Sequence, residues 1–444
     1  MKRTPDTDPR QSSPFNRRDF FTRAAAITAA GAAAAVPGSR LLAAENVDAA
    51  KALNLKITGL KTFVVDTGPG SDENYVFVKV FTDKGVVGLG EGTMTGKART
   101  VAAAIEEHER YLVGKDPTDI EYLWQAMFRG PRYRGGPILM SALGAVDVAL
   151  WDILGQALGV PLWKLLGGRA RDKVKAYVKH TKQPIDPNLS DEDKLIATWV
   201  GIQKDGWTGS KGNFLIKDPD GTMDPPVAIR KGIDLLRRMR EAVGPDFDIH
   251  VDVHGQCTTQ MAVEFCRATE PYRPFVIEEP TQLEDIGELA HLRAHTSAPL
   301  AVGERLTTKY PFADICARHL VDYVQPDIIH CGGITEVKKI AALADAFRIE
   351  VLPHNPNSRV CTFASVHLCM STPNATVLET SGSERERWDD LFFGTRIDYQ
   401  GTFAMPPTKP GLGIELNEKE AAKYPYQPKH WHSLKFPDGA IHDR

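Results

Sequence analysis

Short apolar segments alternate regularly with helical stretches from Lys173 onward, and this rhythm constrains the fold more than any other feature. Eight segments are predicted to be strands: Val174–Val178, Ser210–Phe214, Asp248–Val253, Phe275–Glu278, Leu300–Gly303, Tyr323–Val324, Glu350–Leu352 and Thr376–Leu378. Strands that alternate with helices form parallel sheets, and eight of them favour closure into a barrel. The sequence therefore predicts an α/β barrel over residues 171–400.

An acidic or imidazole side chain ends six successive predicted strands, at intervals of 23 to 27 residues. These side chains belong to Asp252, Glu278, Glu304, Asp327, His354 and Glu379. Each interval corresponds to one strand plus one helix, so all six are expected at one end of the barrel. That end is the C-terminal face, where barrels of this kind have their active sites. Single strands often end in a polar residue without functional reason, but six in register indicate a site.

Like charges gathered at one face repel each other unless a cation balances them. Carboxylates without cysteines or several histidines favour a hard, oxygen-preferring ion, Mg²⁺ before Mn²⁺. We therefore predict a metal site with Asp252, Glu278 and Glu304 as ligands from three adjacent strands. Glu279 competes with Glu278 for this role, but neighbours on a strand face opposite ways, so only one of them faces the lumen.

Two histidines are predicted to carry the acid–base chemistry. His254 lies two residues after Asp252 and shares its strand face, so it is either a metal ligand or, as we prefer, the general acid. His354 ends the strand next to that of Asp327, and adjacent strands lie about 4.8 Å apart. Asp327 can therefore fix the imidazole tautomer and raise its basicity, which makes His354 the predicted base. A purely structural Asp–His pair is the alternative.

A metal ion and two histidines at one face are typical of proton abstraction next to a carboxylate. The metal stabilises the enediolate, one histidine takes the α-proton, and the other protonates a leaving β-hydroxyl. Glu379 can donate a hydrogen bond to the developing oxyanion if it holds or shares a proton, as buried carboxyls near other acids do.

Residues 53–170 have a different pattern, typical of an α+β capping domain. Its predicted strands are Leu55–Val65, Tyr75–Thr82 and Val86–Glu91, and its predicted helices are Ala98–Leu112, Ile120–Phe128 and Met140–Leu158. The Pro- and Gly-rich stretch Met405–Gly413 marks departure from the barrel. We expect the segment 401–444 to pack back on the cap.

The first 44 residues are typical of an export signal. Paired Arg17 and Arg18 precede Phe20 and the Ala-rich run Ala24–Val36, which resembles a twin-arginine signal. A disordered Ala-rich leader is the alternative. We predict a periplasmic or otherwise exported protein, and the twin-arginine route suits an enzyme that must load its metal before export.

Composition excludes several classes of partner. The formal net charge is −3, and nothing in it indicates nucleic acid or an anionic membrane. No uninterrupted apolar run reaches the roughly 20 residues of a membrane span. The six cysteines form no C-x-x-C pair and are expected to be buried apolar residues. The predicted partners are a small acid sugar, the export machinery and further copies of the chain in a homo-oligomer.

Ten motifs resemble the enolase superfamily, its mandelate racemase subgroup, and within it the galactonate dehydratase family. They are Arg134–Ser141, Asp147–Ile153, Val251–Gly255, Pro271–Pro274, Ile277–Pro280, Ala301–Arg305, Gln325–Asp327, Gly332–Glu336, Pro353-His354 and Thr408–Gly413. The resemblance covers about residues 53–430 and implies a modified TIM barrel of (β/α)7β type with a cap completed by the C-terminal tail. It also implies the roles given above for the metal ligands, both histidines, Asp327 and Glu379.

The sequence departs from the family pattern in three places. Members that racemise often end the second barrel strand with Lys-x-Lys, but this chain has Lys211-Gly212-Asn213. Racemisation through a second lysine is therefore disfavoured, and Lys211 and Asn213 are expected to contact the substrate. The segment Asn355–Arg359 after His354 and the loop Asp66–Asn74 also differ from the family pattern.

The leading functional prediction is a carbon–oxygen lyase that dehydrates an acid sugar to a 2-keto-3-deoxy acid with Mg²⁺ as cofactor. The first alternative is a cycloisomerase or epimerase of a sugar acid or lactone, which would use the same enediolate. The second alternative is a non-catalytic, exported sugar-acid binding protein on the same fold.

Overall fold

A computed structural model describes residues 53–68, 71, 73–179, 183–381, 387–394, 396–430 and 433–443. The predicted export signal over residues 1–44, with its arginine pair, lies outside the described residues. The chain from Leu55 onward belongs to one compact unit, which holds both the cap and the barrel.

The cap begins with an antiparallel sheet of three strands, followed by three helices. The strands, in the order β1-β2-β3, are β1 Ile57–Asp66, β2 Asn74–Thr82 and β3 Val87–Glu91. The helices are α1 Ala98–Leu112, α2 Ile120–Arg129 and α3 Pro137–Leu158. Helix α1 buries Val101, Ile105 and Leu112, which the helical repeat places on one face. That face packs on the sheet, as the α+β prediction requires.

Helix α3 is the core element between the cap sheet and the barrel. By length and composition it could cross a membrane, but 78% of its most apolar 18-residue stretch is buried inside the fold. It is therefore a core helix. The sequence prediction found no run of spanning length because Asp147 and Asp152 interrupt it. Strand β3 approaches α3 so closely that a Cβ on Gly90 would lie 1.9 Å from the Ala145 carbonyl oxygen.

Eight parallel strands form the barrel after the short helix α4, Leu162–Leu165. They are β4 Val174–Val178, β5 Gly209–Asn213, β6 Asp248–Asp252, β7 Val276–Glu278, β8 Leu300–Val302, β9 Tyr323–Val324, β10 Glu350–Val351 and β11 Val377–Thr380. Neighbouring strands pair in sequence order, β11 pairs with β4, and a parallel bridge from Val351 to Ala375 joins the last two strands. The sheet is therefore closed.

Seven helices alternate with these eight strands. They are α5 Asp191–Lys204, α6 Pro225–Val243, α7 Thr259–Thr269, α8 Ile286–Arg293, α9 Lys309–Ala317, α10 Gly333–Ala346 and α11 Arg359–Met370. Side chains of Ser190, Thr258, Asp285 and Ser358 accept hydrogen bonds from first-turn N–H groups and so begin four of these helices. The predicted modified TIM barrel of (β/α)7β type, with its N-terminal cap, is confirmed.

A stack of aromatic rings fills the barrel interior. Tyr177 stacks on His250 with ring centroids 3.8 Å apart, His250 lies 4.7 Å from Phe275, and Phe275 lies 5.4 Å from Tyr323. Tyr177 and His250 are fully buried, and burial holds the pKa of His250 well below its usual range. The neutral rings form a packed floor, so substrate can approach the chemistry only from the C-terminal face.

The C-terminal segment contacts both the barrel and the cap. After α12 Arg387–Leu391 it forms β12 Phe392–Gly394, β13 Tyr399–Gln400, β14 Phe403–Ala404, β15 Ile414–Leu416, α13 Glu418–Ala421, β16 Leu434–Lys435 and β17 Ile441–His442. Strand β14 pairs antiparallel with β4 of the barrel, a contact that the sequence did not indicate. Further on, Glu418 binds Lys61 and Lys79 of the cap at 2.6 and 3.0 Å, and the Asp66 amide donates to the Tyr424 carbonyl. The tail therefore completes the cap.

Candidate active site

Strand register brings the predicted site residues together at the C-terminal face. Asn213 of β5 pairs with Asp252 of β6, and Asp252 pairs with Glu278 of β7. Further round the barrel, Asp327 and His354 form a parallel bridge beyond β9 and β10. Residues that are one strand and one helix apart in the sequence therefore lie side by side at neighbouring strand ends.

The Lys211 ammonium lies among three carboxylates at the centre of this face. Its Nζ lies 2.8 Å from Glu278, 3.0 Å from Glu379 and 3.3 Å from Asp252. The Lys211 side chain has no exposed surface. Burial lowers its pKa, but attraction to Glu278, Glu379 and Asp252 outweighs burial and holds the pKa well above its usual range. Lys211 is therefore a buried cation, and its predicted contact with the substrate stays a prediction.

Two overlapping groups of side chains can hold a metal ion among the described residues, and Glu304 belongs to both. One group is Asp252, His254 and Glu304, and the other is Glu278, Glu304 and His354, with ligand atoms within 4.8 Å of one another. All three predicted carboxylate ligands are thus represented, as are the two histidines.

Unsatisfied oxygen atoms show that these residues suit a hard divalent cation. Asp252 Oδ2, Glu304 Oε2 and Glu379 Oε1 are buried and accept no hydrogen bond from the described residues, although Lys211 or a histidine lies within 3.3 Å of each. Buried carboxylate oxygens without donors are costly, and Mg²⁺ prefers oxygen ligands of this type. The donor set therefore fits the predicted Mg²⁺ and would hold it through Asp252, Glu278 and Glu304.

The two adjacent glutamates at the end of β7 have opposite environments. Glu278 faces the site, where it contacts Lys211 and accepts a hydrogen bond of 2.8 Å from the Gln325 amide. Glu279 adopts a positive φ of 47° and turns away, to accept from the Gly303 amide and the Arg305 guanidinium at 2.8 and 2.6 Å. Glu279 is thus occupied by structural bonds, and Glu278 is the carboxylate available to a metal.

The electrostatic states of the carboxylates differ because their neighbours differ. Burial raises the pKa of Glu278 well above its usual range, and Lys211 only partly opposes this effect. Burial also raises the pKa of Asp252 and Glu304, but Lys211 and His254 around Asp252, and His354 beside Glu304, outweigh burial and lower both pKa values. A cation at this site would favour the charged form of all three carboxylates.

His354 is held in a fixed orientation between two carboxylates. Its Nδ1 lies 2.8 Å from Asp327 Oδ2, and its Nε2 lies 3.2 Å from Glu304 Oε2. Burial lowers its pKa, but Glu304 and the bond to Asp327 outweigh burial and raise the pKa to about 10. Because Asp327 binds Nδ1, Nε2 is the ring atom that faces the mouth of the barrel.

His254 contacts another carboxylate of the cluster, Asp252, and is the more accessible histidine. Its side chain is 36% exposed, whereas that of His354 is 12% exposed, and its Nε2 lies 2.9 Å from Asp252 Oδ2. The residue has a positive φ of 54°, which turns the chain sharply after β6. The two histidines therefore reach the same mouth from different strands.

Glu379 has surroundings that favour its charged form. Burial raises its pKa, but Lys211 at 3.0 Å, together with His354 and Lys179, lowers the pKa to about 2. Its second oxygen accepts a hydrogen bond of 3.2 Å from the Asn355 amide. The sequence prediction made a hydrogen bond to the oxyanion conditional on a held or shared proton, and the Lys211 ammonium beside this carboxyl favours its charged form.

Asn213 lies at the rim of the same mouth. Its Oδ1 accepts from the Leu215 amide at 2.8 Å, and its Nδ2 lies 3.3 Å from the Gln256 side chain. The side chain is half-buried, so the predicted contact with substrate stays a prediction.

Four further residues of the site were not identified as functional from the sequence. They are Lys179, whose charge lowers the pKa of Asp252 and Glu379, Gln325 on Glu278, Asn355 on Glu379, and Asn357 on Asp327. Gln325 belongs to the Gln-Pro-Asp motif, and its position two residues before Asp327 could have indicated that it lies in the site. The two asparagines follow His354 closely but have no periodicity that could reveal their partners.

The fold and site define an enzyme of the enolase superfamily, in its mandelate racemase branch. Two family models match the chain: the mandelate racemase / muconate lactonizing enzyme N-terminal domain over residues 56–167, and the enolase C-terminal domain-like family over residues 200–420. The chain belongs to this family, and Mg²⁺ is its cofactor.

Individual relatives place the chain near the sugar-acid enzymes of the family. D-galactonate dehydratase of Ralstonia pickettii is 36% identical over 395 residues, which are 87% of this chain and 99% of that protein. An enolase from Pantoea ananatis with bound D-gluconate and Mg has a TM-score of 0.80 and 29% identity, over 88% of this chain and 100% of that one. The 3,6-anhydro-D-galactonate cycloisomerase from Zobellia galactanivorans has a TM-score of 0.74 and 28% identity, over 84% and 100%. The predicted enzyme class, a carbon–oxygen lyase, is confirmed by the dehydratases among these relatives.

Proposed function

We propose that this enzyme dehydrates an acid sugar to a 2-keto-3-deoxy acid. The observation that carries the proposal is the convergence of Asp252, Glu278 and Glu304 with two histidines at one barrel mouth. The D-galactonate dehydratase relative and the D-gluconate-bound relative support a sugar acid as substrate.

The two histidines divide the proton transfers between them. The Glu304 carboxylate raises the pKa of His354, and a cation held by Glu304 would oppose that effect and favour the neutral imidazole that a base requires. His354, oriented by Asp327 through Nδ1, then takes the α-proton on Nε2, and His254 donates a proton to the β-hydroxyl, which leaves as water. The α C–H and β C–O bonds break, and the resulting enol becomes the 2-keto acid by gaining a proton at the β-carbon. When bound, Mg²⁺ supplies positive charge beside the substrate carboxylate and so acidifies the α-carbon.

Glu379 and Lys211 surround the place where negative charge develops. Because the pKa of Glu379 is lowered to about 2, the carboxylate is charged, and the ammonium of Lys211 at 3.0 Å is the nearby positive group. We infer that Lys211 balances the oxyanion in this enzyme, and that Glu379 holds Lys211 in position.

Cycloisomerisation of a sugar acid or lactone is the second candidate. It starts with the same removal of an α-proton, and the cycloisomerase from Zobellia galactanivorans supports it. The two functions separate by mass: dehydration lowers the mass of the product by one water, whereas isomerisation conserves it. The earlier alternative, a non-catalytic binding protein, is not supported, because the chain belongs to an enzyme family with both histidines present.

The experiment that tests the proposal is a Mg²⁺-dependent activity screen over stereoisomeric aldonates and aldarates, read by product mass. Exchange of the substrate α-hydrogen in deuterium oxide then assigns the histidines. His354→Asn should lose exchange and turnover, whereas His254→Asn should lose dehydration, each by about 10²–10⁴-fold. Robust exchange in His354→Asn would exclude His354 as the base.

We also propose export by the twin-arginine route and assembly into a homo-oligomer. The paired Arg17 and Arg18 before an Ala-rich run support the export proposal. Replacing both arginines with lysine should leave the protein in the cytoplasm, and cell fractionation measures this outcome. Unchanged export of the double variant would contradict it. Size-exclusion chromatography with light scattering tests assembly.

A further inference from the structure

Asp327 is held by four hydrogen bonds, and Asn357 supplies one of them. Asp327 Oδ1 accepts from the backbone amides of Ile329 and His330 at 2.6 and 3.3 Å. Asp327 Oδ2 accepts from His354 Nδ1 at 2.8 Å and from the Asn357 amide at 3.0 Å. Asn357 therefore fixes the same oxygen that orients the imidazole of His354.

The segment that carries Asn357 also binds the carboxyl on the next strand. The Asn355 backbone amide donates to Glu379 Oε2 at 3.2 Å, and the Asn355 side chain donates to the Glu379 carbonyl at 2.9 Å. Both asparagines are buried, with Asn357 only 4% exposed. One short stretch of chain thus holds the partner of His354 on one side and Glu379 on the other.

This segment is anchored on the cap through Glu91 at the end of β3. Glu91 accepts from the Ser358 amide at 3.1 Å, from the Ser358 hydroxyl at 2.5 Å and from the Cys361 amide at 3.1 Å. The Thr93 hydroxyl supplies a fourth donor at 2.7 Å. Helix α11 therefore begins against a cap carboxylate, which suits the partial positive charge of a helix N-terminus.

We propose that residues 355–358 form a positioning segment, in which Asn357 sets the geometry of the Asp327–His354 pair and Glu91 of the cap holds the segment in place. The inference rests on the proposed function, because it takes His354 as the base. Asn357 is a positioning residue, since it is buried behind Asp327 and acts through that carboxylate. Outer hydrogen-bond partners of this kind are worth about 10–100-fold in activity.

The direct test replaces the Asn357 amide with an apolar group of similar size. Asn357→Leu should lower kcat by roughly 10–100-fold, slow α-hydrogen exchange in parallel, and change KM and Mg²⁺ affinity less than twofold. The matched control is Asn374→Leu, which removes an amide that donates to the Ala341 and Ile349 carbonyls, away from the mouth. It should lower the melting temperature without lowering kcat. Equal loss of kcat in both variants, or no loss in Asn357→Leu, would overturn the proposal.

Glu91 tests the anchor from the cap side. Glu91→Gln should lower kcat with KM little changed. The side-chain NH₂ group of the glutamine would face the donors of Ser358 and Cys361, so the start of α11 would lose part of its anchor. Asp152→Asn is the matched control, since Asp152 is an equally buried cap carboxylate that accepts from the Leu89 and Leu412 amides at 2.9 and 2.8 Å. It should cost stability alone. An unchanged kcat in Glu91→Gln would remove Glu91 from the proposal.

A spectroscopic readout separates this inference from the proposed function. The Nδ1–H proton resonance of His354 in the Mg²⁺-loaded protein, assigned by its loss in His354→Asn, reports the bond to Asp327 whether or not any sugar acid turns over. Asn357→Leu should shift this resonance, and Asn374→Leu should not. If no sugar acid reacts with the wild type, the proposed function fails while the resonance still decides the positioning role. An unshifted resonance in Asn357→Leu would overturn that role.

Discussion

Two groups of buried carboxylates in this molecule are satisfied in different ways. The mouth carboxylates Asp252, Glu278, Glu304 and Glu379 lie among the charged side chains Lys211, His254 and His354. The seam carboxylates Glu91 and Asp152, between cap and barrel, accept hydrogen bonds from backbone amides and hydroxyls.

The comparison shows how the same residue type serves two purposes. At the seam every carboxylate oxygen of Glu91 and Asp152 has a donor, so these groups fasten the layers together. At the mouth three oxygens accept no hydrogen bond from the described residues, and Lys211, His254 and His354 balance the charge. An incompletely satisfied cluster can accept a metal ion and a substrate, whereas a saturated one cannot.

The largest expected effect comes from removal of a predicted Mg²⁺ ligand at the barrel mouth. Glu278→Gln should abolish Mg²⁺ binding, measured by calorimetry, and reduce activity by at least ~10⁴-fold, because the cation that acidifies the substrate is lost. Its neighbour provides the control: Glu279→Gln should lower thermal stability through weakened bonds to Arg305 and Gly303, yet still bind Mg²⁺. If Glu279→Gln loses Mg²⁺ and Glu278→Gln retains it, the two glutamates have been assigned the wrong way round.

A second prediction concerns the buried cation. Lys211→Met should lower the free energy of unfolding of the Mg²⁺-free protein by about 3–5 kcal/mol, because it leaves buried carboxylates without their counter-ion. Added Mg²⁺ should restore part of this loss, and thermal denaturation with and without the ion measures both effects. Lys175→Met, which breaks a partly exposed ion pair with Asp248 at 2.6 Å, should cost only about 0.2–1 kcal/mol. Similar losses in the two variants would contradict the comparison.

The smallest expected effect is a pH dependence at the seam. Burial raises the pKa of Glu91 from 4.5 to about 7, despite its hydrogen bonds to Ser358 and Thr93. The folded state therefore binds a proton that the unfolded state releases, and this contribution to stability is lost as pH rises from about 4.5 to 7. The wild type should lose up to about 3 kcal/mol more than Glu91→Gln over that window. Parallel stability curves, from chemical denaturation at several pH values, would refute this assignment.

Periodicity predicted the fold and the placement of the strand ends. Helix α1, Ala98–Leu112, was predicted with its observed bounds, and the eight barrel strands were predicted to within a few residues. The ends that carry Asp252, Glu278 and Glu379 follow from the repeat of one strand and one helix, because parallel strands point the same way. Lateral proximity of Asp327 and His354 followed from the same rule.

Contacts between residues distant in sequence could not be predicted in this way. Lys211 reaches Glu278 across 67 positions, and Ser358 reaches Glu91 across 267. Neither pair has a periodic relation, and each depends on side-chain direction after the barrel has closed. The charge state of Glu379 could not be predicted for the same reason, because a pKa depends on every nearby charge, including one that the sequence places on another strand.

The return of the tail to the cap has a consequence for the order of assembly. Lys61 near the start of the described chain and Glu418 near its end are 357 positions apart, and their contact helps to complete the cap. Such contacts form late, because closing so long a loop costs entropy before any contact is gained. During synthesis from the N-terminus, the cap strands emerge first and must wait for the last segment. The cap can therefore gain these contacts only after the segment that carries Glu418 has been synthesised.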